Sequence, residues 1–137
     1  GLCGFTDPDN RRTYPWGHED RQMVEFHRAA IRLHKKYPVL TYGSLKFLSG
    51  DYNVLCYGRF SEKEQIIVVF NNNETERVLD LPVWPAGVSR HATLKEVFST
   101  DKKGFAESGT EYQVERGHLS LTLPPTSSAV FYRGDIR

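Results

Sequence analysis

A single amphipathic helix pattern, followed only by short β-rich runs, is the feature that most limits what this chain can become. In a helix expected from about Glu19 to Lys36, Met23, Phe26, Ala30 and Leu33 recur at three- and four-residue steps that run on to Tyr37, and Val24 and Ile31 widen the stripe. Glu19 and Asp20 are expected in the first turn and Arg32, Lys35 and Lys36 in the last, the arrangement that a helix dipole favours. Tyr37-Pro38 ends the helix, because proline moves the residue before it out of the α region. Beyond Pro38 the runs 45–48, 53–60, 65–71, 77–81, 93–98, 111–114, 119–123 and 129–132 read as strands separated by turn residues, Ser49-Gly50-Asp51 and Lys103-Gly104 among them. The alternation Leu119-Ser120-Leu121-Thr122-Leu123 predicts one buried and one wet face, and 66–70, apolar throughout, suits a central strand. Short, regularly spaced strands of this kind predict a mainly β chain folded as an antiparallel β-sandwich. The helix has a broad apolar face and no second helix to meet it. Either it lies on the sandwich, or its partner is outside this sequence.

Length and charge narrow the functional classes. At 137 residues the chain is too short for a complete (β/α)8 barrel, which takes ~250 residues. Eighteen Lys and Arg against seventeen Asp and Glu leave a formal charge of +1, which gives no footprint for nucleic acid or an anionic membrane. No apolar run approaches the ~18 residues of a membrane span. Cys3 and Cys56 cannot make a disulfide scaffold or a metal motif, and read as small apolar residues or unreactive thiols.

Most familiar chemical motifs are missing: there is no phosphate-cradling glycine loop, no nucleophile elbow and no His/Cys cluster. His27 and His34, seven apart, could share a helix face, but two imidazoles do not make a metal site. Asn73-Glu74-Thr75 matches a glycosylation sequon and also reads as a polar turn after a buried strand. The charges at 32–36 read as a solvated helix end.

The loop before the helix is different. Thr6-Asp7-Pro8-Asp9-Asn10-Arg11-Arg12-Thr13-Tyr14-Pro15-Trp16 gathers carboxylates, an amide, guanidiniums and aromatic rings. Sugar recognition uses this mixture, since charged groups bond neighbouring hydroxyls and rings cover the apolar faces of a pyranose. A purely structural reading is also open, with Asp7–Arg11 an ion pair holding the loop and Trp16 a core anchor.

The stretch GFTDPDNRRTYPW, the helix after it and the strand-rich tail resemble the C-terminal part of α-amylase-family enzymes (glycoside hydrolase family 13), nearest to the neopullulanase, cyclomaltodextrinase and maltogenic amylase group. The resemblance spans the whole chain. It implies that residues 1–38 are the loop after the eighth barrel strand plus the eighth barrel helix, with the rest of the barrel upstream of Gly1. Residues 39–137 then form the sandwich called domain C. By the D-P-x-x-R match, Asp7 and Arg11 correspond to residues that bind a glucose unit on the non-reducing side of the cleavage point. The family's catalytic acids, a nucleophilic Asp, a general-acid Glu and a stabilising Asp, have no counterpart here, and Asp7 and Asp9 are assigned no catalysis.

The resemblance further implies an α-glucan oligosaccharide as ligand, with α-1,4 bonds of maltodextrin, cyclodextrin or pullulan cleaved by a retaining mechanism in the intact protein. It implies a cytoplasmic enzyme, a homo-oligomer of the parent, calcium only elsewhere in the parent, and no metal or cofactor in this segment. A different expectation is a free-standing carbohydrate-binding sandwich whose Tyr42, Tyr52, Tyr57 and Trp84 form a sugar platform. A structural interaction domain, seen as a stable oligomer, is a third.

Overall fold

A computed structural model describes residues 4–134, and Cys3 lies outside them. Helix α1, Arg21–Lys36, starts later than its sequence pattern because Asp20 caps it: the carboxylate accepts the Met23 amide at 3.1 Å. Glu19 stays outside and takes the Gly17 amide at 3.0 Å. The turn Val39–Tyr42, α2, follows Pro38 and has no counterpart in the sequence reading.

Nine strands follow: β1 (Ser44–Asp51), β2 (Val54–Phe60), β3 (Glu64–Asn71), β4 (Arg77–Pro82), β5 (Thr93–Asp101), β6 (Gly104–Ala106), β7 (Glu111–Glu115), β8 (His118–Leu123) and β9 (Ser127–Gly134). All pairings are antiparallel, in the order β1-β2-β3-β9-β5-β7-β8-β4, with β6 added at β5. Pairing between β5 and β7 covers only Thr93–Lys95 against Glu111–Gln113, and there the path turns over into a second layer. The result is an antiparallel β-sandwich. Two expectations shift at the turns. Ser49-Gly50-Asp51 is not a turn but the end of β1 after a bulge, and β6 is too short to show as a run.

The inner faces supply the main core: Cys56, Ile67, Val69, Leu94, Ala129 and Phe131 meet Leu79, Leu81, Val114, Leu119, Leu121 and Leu123. Strand β8 keeps its predicted alternation, with its leucines buried. Strand β3 is apolar on both sides because both sides are covered: Ile67 and Val69 face inward, whereas Ile66 and Val68 face α1. Gly58 of β2 passes so close to Ala86 that a methyl group there would overlap the alanine side chain.

The helix lies on the sandwich's outer face. Ala29 and Tyr37 are buried there with Val97, Phe98, Val130 and Tyr132, and Phe26 and Leu33 pack beside them. Phe26 meets Phe98 and Phe105, each at 6.0 Å between ring centroids, and Tyr37 tilts on Tyr132 at 4.4 Å. Gln22 donates to the Lys103 carbonyl at 3.2 Å, fastening the helix start to the β5–β6 turn. The sequence stripe therefore divides: Met23 and Ile31 are exposed, while Ala29 is the position that packs most tightly. No helix among the described residues is long and apolar enough to cross a membrane.

Candidate functional site

The loop before α1 is tied to itself. The Asn10 amide donates to the Thr6 carbonyl at 3.1 Å and the Arg11 amide to the Pro8 carbonyl at 3.0 Å, around a cis Asp7–Pro8 bond. Gly4 closes the loop: a Cβ there would stand 2.5 Å from the Asn10 Cα, so only glycine fits. This turn brings Arg11 Nε to 2.8 Å from Asp7 Oδ1, with side chains 76% and 59% exposed. A second pair, Arg12–Asp9 at 3.2 Å, lies beside it, and the Arg12 Nε also donates to the Asp9 carbonyl.

Tyr14 and Trp16 meet edge to face at 4.7 Å. Trp16 is 80% exposed and belongs to neither core of the sandwich, so within this chain it is not a core anchor. The backbone turns again at 14–18, where the Trp16 amide reaches the Tyr14 carbonyl at 2.9 Å and the His18 amide reaches that of Pro15 at 2.9 Å. Between loop and helix runs a groove of about 660 Å³, lined by Tyr14, Pro15, His18, Met23, His27 and Ile31. The Gly17 amide, then the residue's own amide, holds the Glu19 carboxyl below its ordinary range.

Asp7 and Arg11 thus stand together and exposed, in the same loop that carries the exposed rings of Tyr14 and Trp16. An exposed ion pair contributes at most about 1 kcal/mol to stability. Held as it is, the pair presents a carboxylate acceptor and guanidinium donors at one point, able to bond neighbouring hydroxyls.

The other singled-out residues are placed elsewhere. Tyr42 and Tyr52 lie at opposite ends of the β1–β2 hairpin. Tyr57 sits between Phe47 and Phe70, and Trp84 lies against Gly117. No ring contact joins any two of these four among the described residues. Asn73 is held in the β3–β4 turn, its amide donating to Asn71 Oδ1 at 2.9 Å and to the Tyr52 carbonyl at 3.3 Å. His27 Nδ1 lies 2.8 Å from the Met23 carbonyl of its own helix. Among the described residues no group of three His, Cys, Asp or Glu could hold a metal ion. Cys56 is a free, buried thiol, and burial pushes its pKa up to about 12, which makes it inert.

Comparison with known proteins bears on the whole arrangement. The model of the family "Alpha amylase, C-terminal all-beta domain" matches residues 46–134. Neopullulanase 2 of Thermoactinomyces vulgaris is 27% identical over 98% of this chain and 22% of its own length. An amylopullulanase of Thermoanaerobacterium thermosulfurigenes is 37% identical over 98% of this chain, but over only 7% of its own. Among solved structures, an Anoxybacillus α-amylase superposes on 97% of this chain with a TM-score of 0.77 at 20% identity, using 26% of its own chain. The chain therefore spans no more than about a quarter of the length of any of these three proteins.

Proposed function

This chain belongs to the family of α-amylase C-terminal all-β domains, and on that premise we propose that it is the closing part of a retaining α-glucan hydrolase. In the whole enzyme, α-1,4 bonds of maltodextrin, cyclodextrin or pullulan would be cleaved by catalytic carboxylates outside residues 1–137. The loop would bring Asp7 and Arg11 to a glucosyl unit on the non-reducing side of the cut. The order loop, helix, sandwich supports this reading, since the likeness to neopullulanase 2 runs over 98% of the chain and the Anoxybacillus α-amylase shares the fold over 97% of it.

The chemistry of the loop supports the same reading. A neutral, hydroxyl-rich ligand is served by Asp7 as acceptor, Arg11 as donor and Trp16 as an apolar surface, and asks for no net charge. The exposed Met23 and Ile31 give α1 a second apolar side, suited to a neighbouring barrel helix. A retaining glycosidase needs two carboxyl groups ~5–5.5 Å apart, one of them with a raised pKa. The exposed Asp7 and Asp9 are each engaged by an arginine, and the chain alone would be inactive. A cytoplasmic location accords with the free thiol of Cys56.

Kinetics of the full-length enzyme test the role of the loop. Asp7→Ala and Arg11→Ala should each lower kcat/KM on maltooligosaccharides by about 1–3 kcal/mol, roughly 5- to 150-fold, for each charged hydrogen-bonding group lost. Arg12→Ala, which breaks the neighbouring pair, should change it less than about twofold. Unchanged kinetics in both Asp7→Ala and Arg11→Ala would reject the assignment.

A further inference from the structure

Packing does little to hold the Trp16 ring. It is exposed and belongs to neither core, and its one ring partner among the described residues, Tyr14, is exposed as well. Open space of about 530 Å³ lies between the two rings and α1, bounded by Tyr14, Trp16, Glu19, Val24 and Arg28. The place of the ring is therefore set by the hydrogen bonds of the backbone that carries it. Two of these, from the Trp16 amide to the Tyr14 carbonyl and from the His18 amide to that of Pro15, stay within residues 14–18. They shape the turn without tying it to anything else.

Glu19 makes that tie. Its Oε1 accepts the Gly17 amide at 3.0 Å, and among the described residues no other side chain bonds the backbone of 14–18. Gly17 sits at φ +79°, the left-handed region that favours glycine, and there the chain reverses so that its amide meets the Glu19 carboxylate. The bond is charge-assisted, since the amide holds the Glu19 carboxyl below its ordinary range and the acceptor is ionised at neutral pH. The next residue is fixed in turn: Asp20 caps α1 through the Met23 amide. Through Glu19 the turn beside Trp16 thus hangs from the rigid start of the helix.

We propose that Glu19 is a positioning residue: by holding the Gly17 amide at the start of α1, it fixes where the Trp16 ring stands as an apolar surface for a glucosyl unit. That the ring meets substrate rests on the function proposed above; the anchoring of the turn does not. Steady-state kinetics of the full-length enzyme with a maltooligosaccharide test it. A ring that only covers a sugar face binds ground state and transition state alike, so its displacement is read in KM and not in kcat. Glu19→Ala should raise KM about three- to tenfold and leave kcat within about twofold. Glu19→Gln keeps an oxygen acceptor for the Gly17 amide and should recover most of that loss. Trp16→Ala should raise KM at least as much as Glu19→Ala, and combining the two should raise it no further, because both act through one ring. Equal losses in the alanine and glutamine variants would reject the bond to Gly17 as the cause. A KM unchanged by Glu19→Ala, or losses that add in the double variant, would overturn the role of Glu19 and leave that of Asp7 and Arg11 standing. A KM unchanged by Trp16→Ala would also overturn it, by removing the ring from the substrate site, and the Asp7 and Arg11 variants would still judge the rest of the loop.

Discussion

Replacing Asn71 with alanine should cost about 3–5 kcal/mol of folding stability, lowering Tm by roughly 10–15 °C. Asn71 ends β3 and is 1% exposed. Its amide nitrogen reaches the carbonyls of Thr75 at 3.0 Å, Leu123 at 3.3 Å and Pro124 at 2.8 Å. Its Oδ1 accepts from the backbone and the side chain of Asn73, at 3.1 and 2.9 Å. One side chain thus joins the β3–β4 turn to the β8–β9 turn, across the two layers. Removing it leaves several buried or half-buried groups without partners, each costing ~1–3 kcal/mol where water cannot reach it. Asn73→Ala removes donors from a more exposed amide and should cost less than about 1.5 kcal/mol. Urea unfolding followed by circular dichroism measures both. A loss below about 1 kcal/mol for Asn71→Ala would mean that water or a rearranged turn replaces these bonds.

A larger effect is expected from a chain that stops at Thr126: it should show no cooperative unfolding transition. The strand removed is last in sequence and central in space. β9 pairs with β3 on one side and with β5 on the other, so its loss separates β1-β2-β3 from β5-β7-β8-β4. Its residues also serve both cores. Ala129 and Phe131 fill the interior, and Val130 and Tyr132 lie in the layer beneath α1. Losing Phe131 alone would cost ~3–5 kcal/mol, which approaches the whole stability of an ordinary domain of about 5–15 kcal/mol. Calorimetry of the truncated chain gives the answer, and a retained sharp transition would show that the two halves hold together without their shared strand.

These expectations depend on features that were legible to different degrees in the residues themselves. Strand β8 announces itself, because the alternation of Leu119, Leu121 and Leu123 with Ser120 and Thr122 is the pattern of a half-wet strand. Strand β3 could be recognised as central because no polar residue interrupts 66–70. The strand order could not be read, since nothing local in Ala129–Tyr132 says that the last strand inserts between β3 and β5. Ser49-Gly50-Asp51 carries turn chemistry yet continues β1 through a bulge, a case where pairing with β2 overrides local preference. On α1, Met23 and Ile31 share the apolar pattern with Phe26 and Leu33, and only tertiary packing decides which side meets the sandwich.

The candidate sites divide in the same way. The spacing of Asp7 and Arg11 is visible in the chain, and a tight loop brings the two side chains to 2.8 Å. Trp16 reads equally well as an anchor or as a surface ring, and its exposure is a matter of tertiary structure.

The role of the loop can be measured most directly in the full-length enzyme crystallised with an uncleaved maltooligosaccharide. An Asp7 carboxylate oxygen and an Arg11 guanidinium nitrogen are both expected ~2.7–3.2 Å from hydroxyls of one glucosyl unit on the non-reducing side of the cut. A sugar chain seated in the active site with Asp7 and Arg11 still bonded only to each other, and no glucosyl hydroxyl within reach of either, would contradict the account.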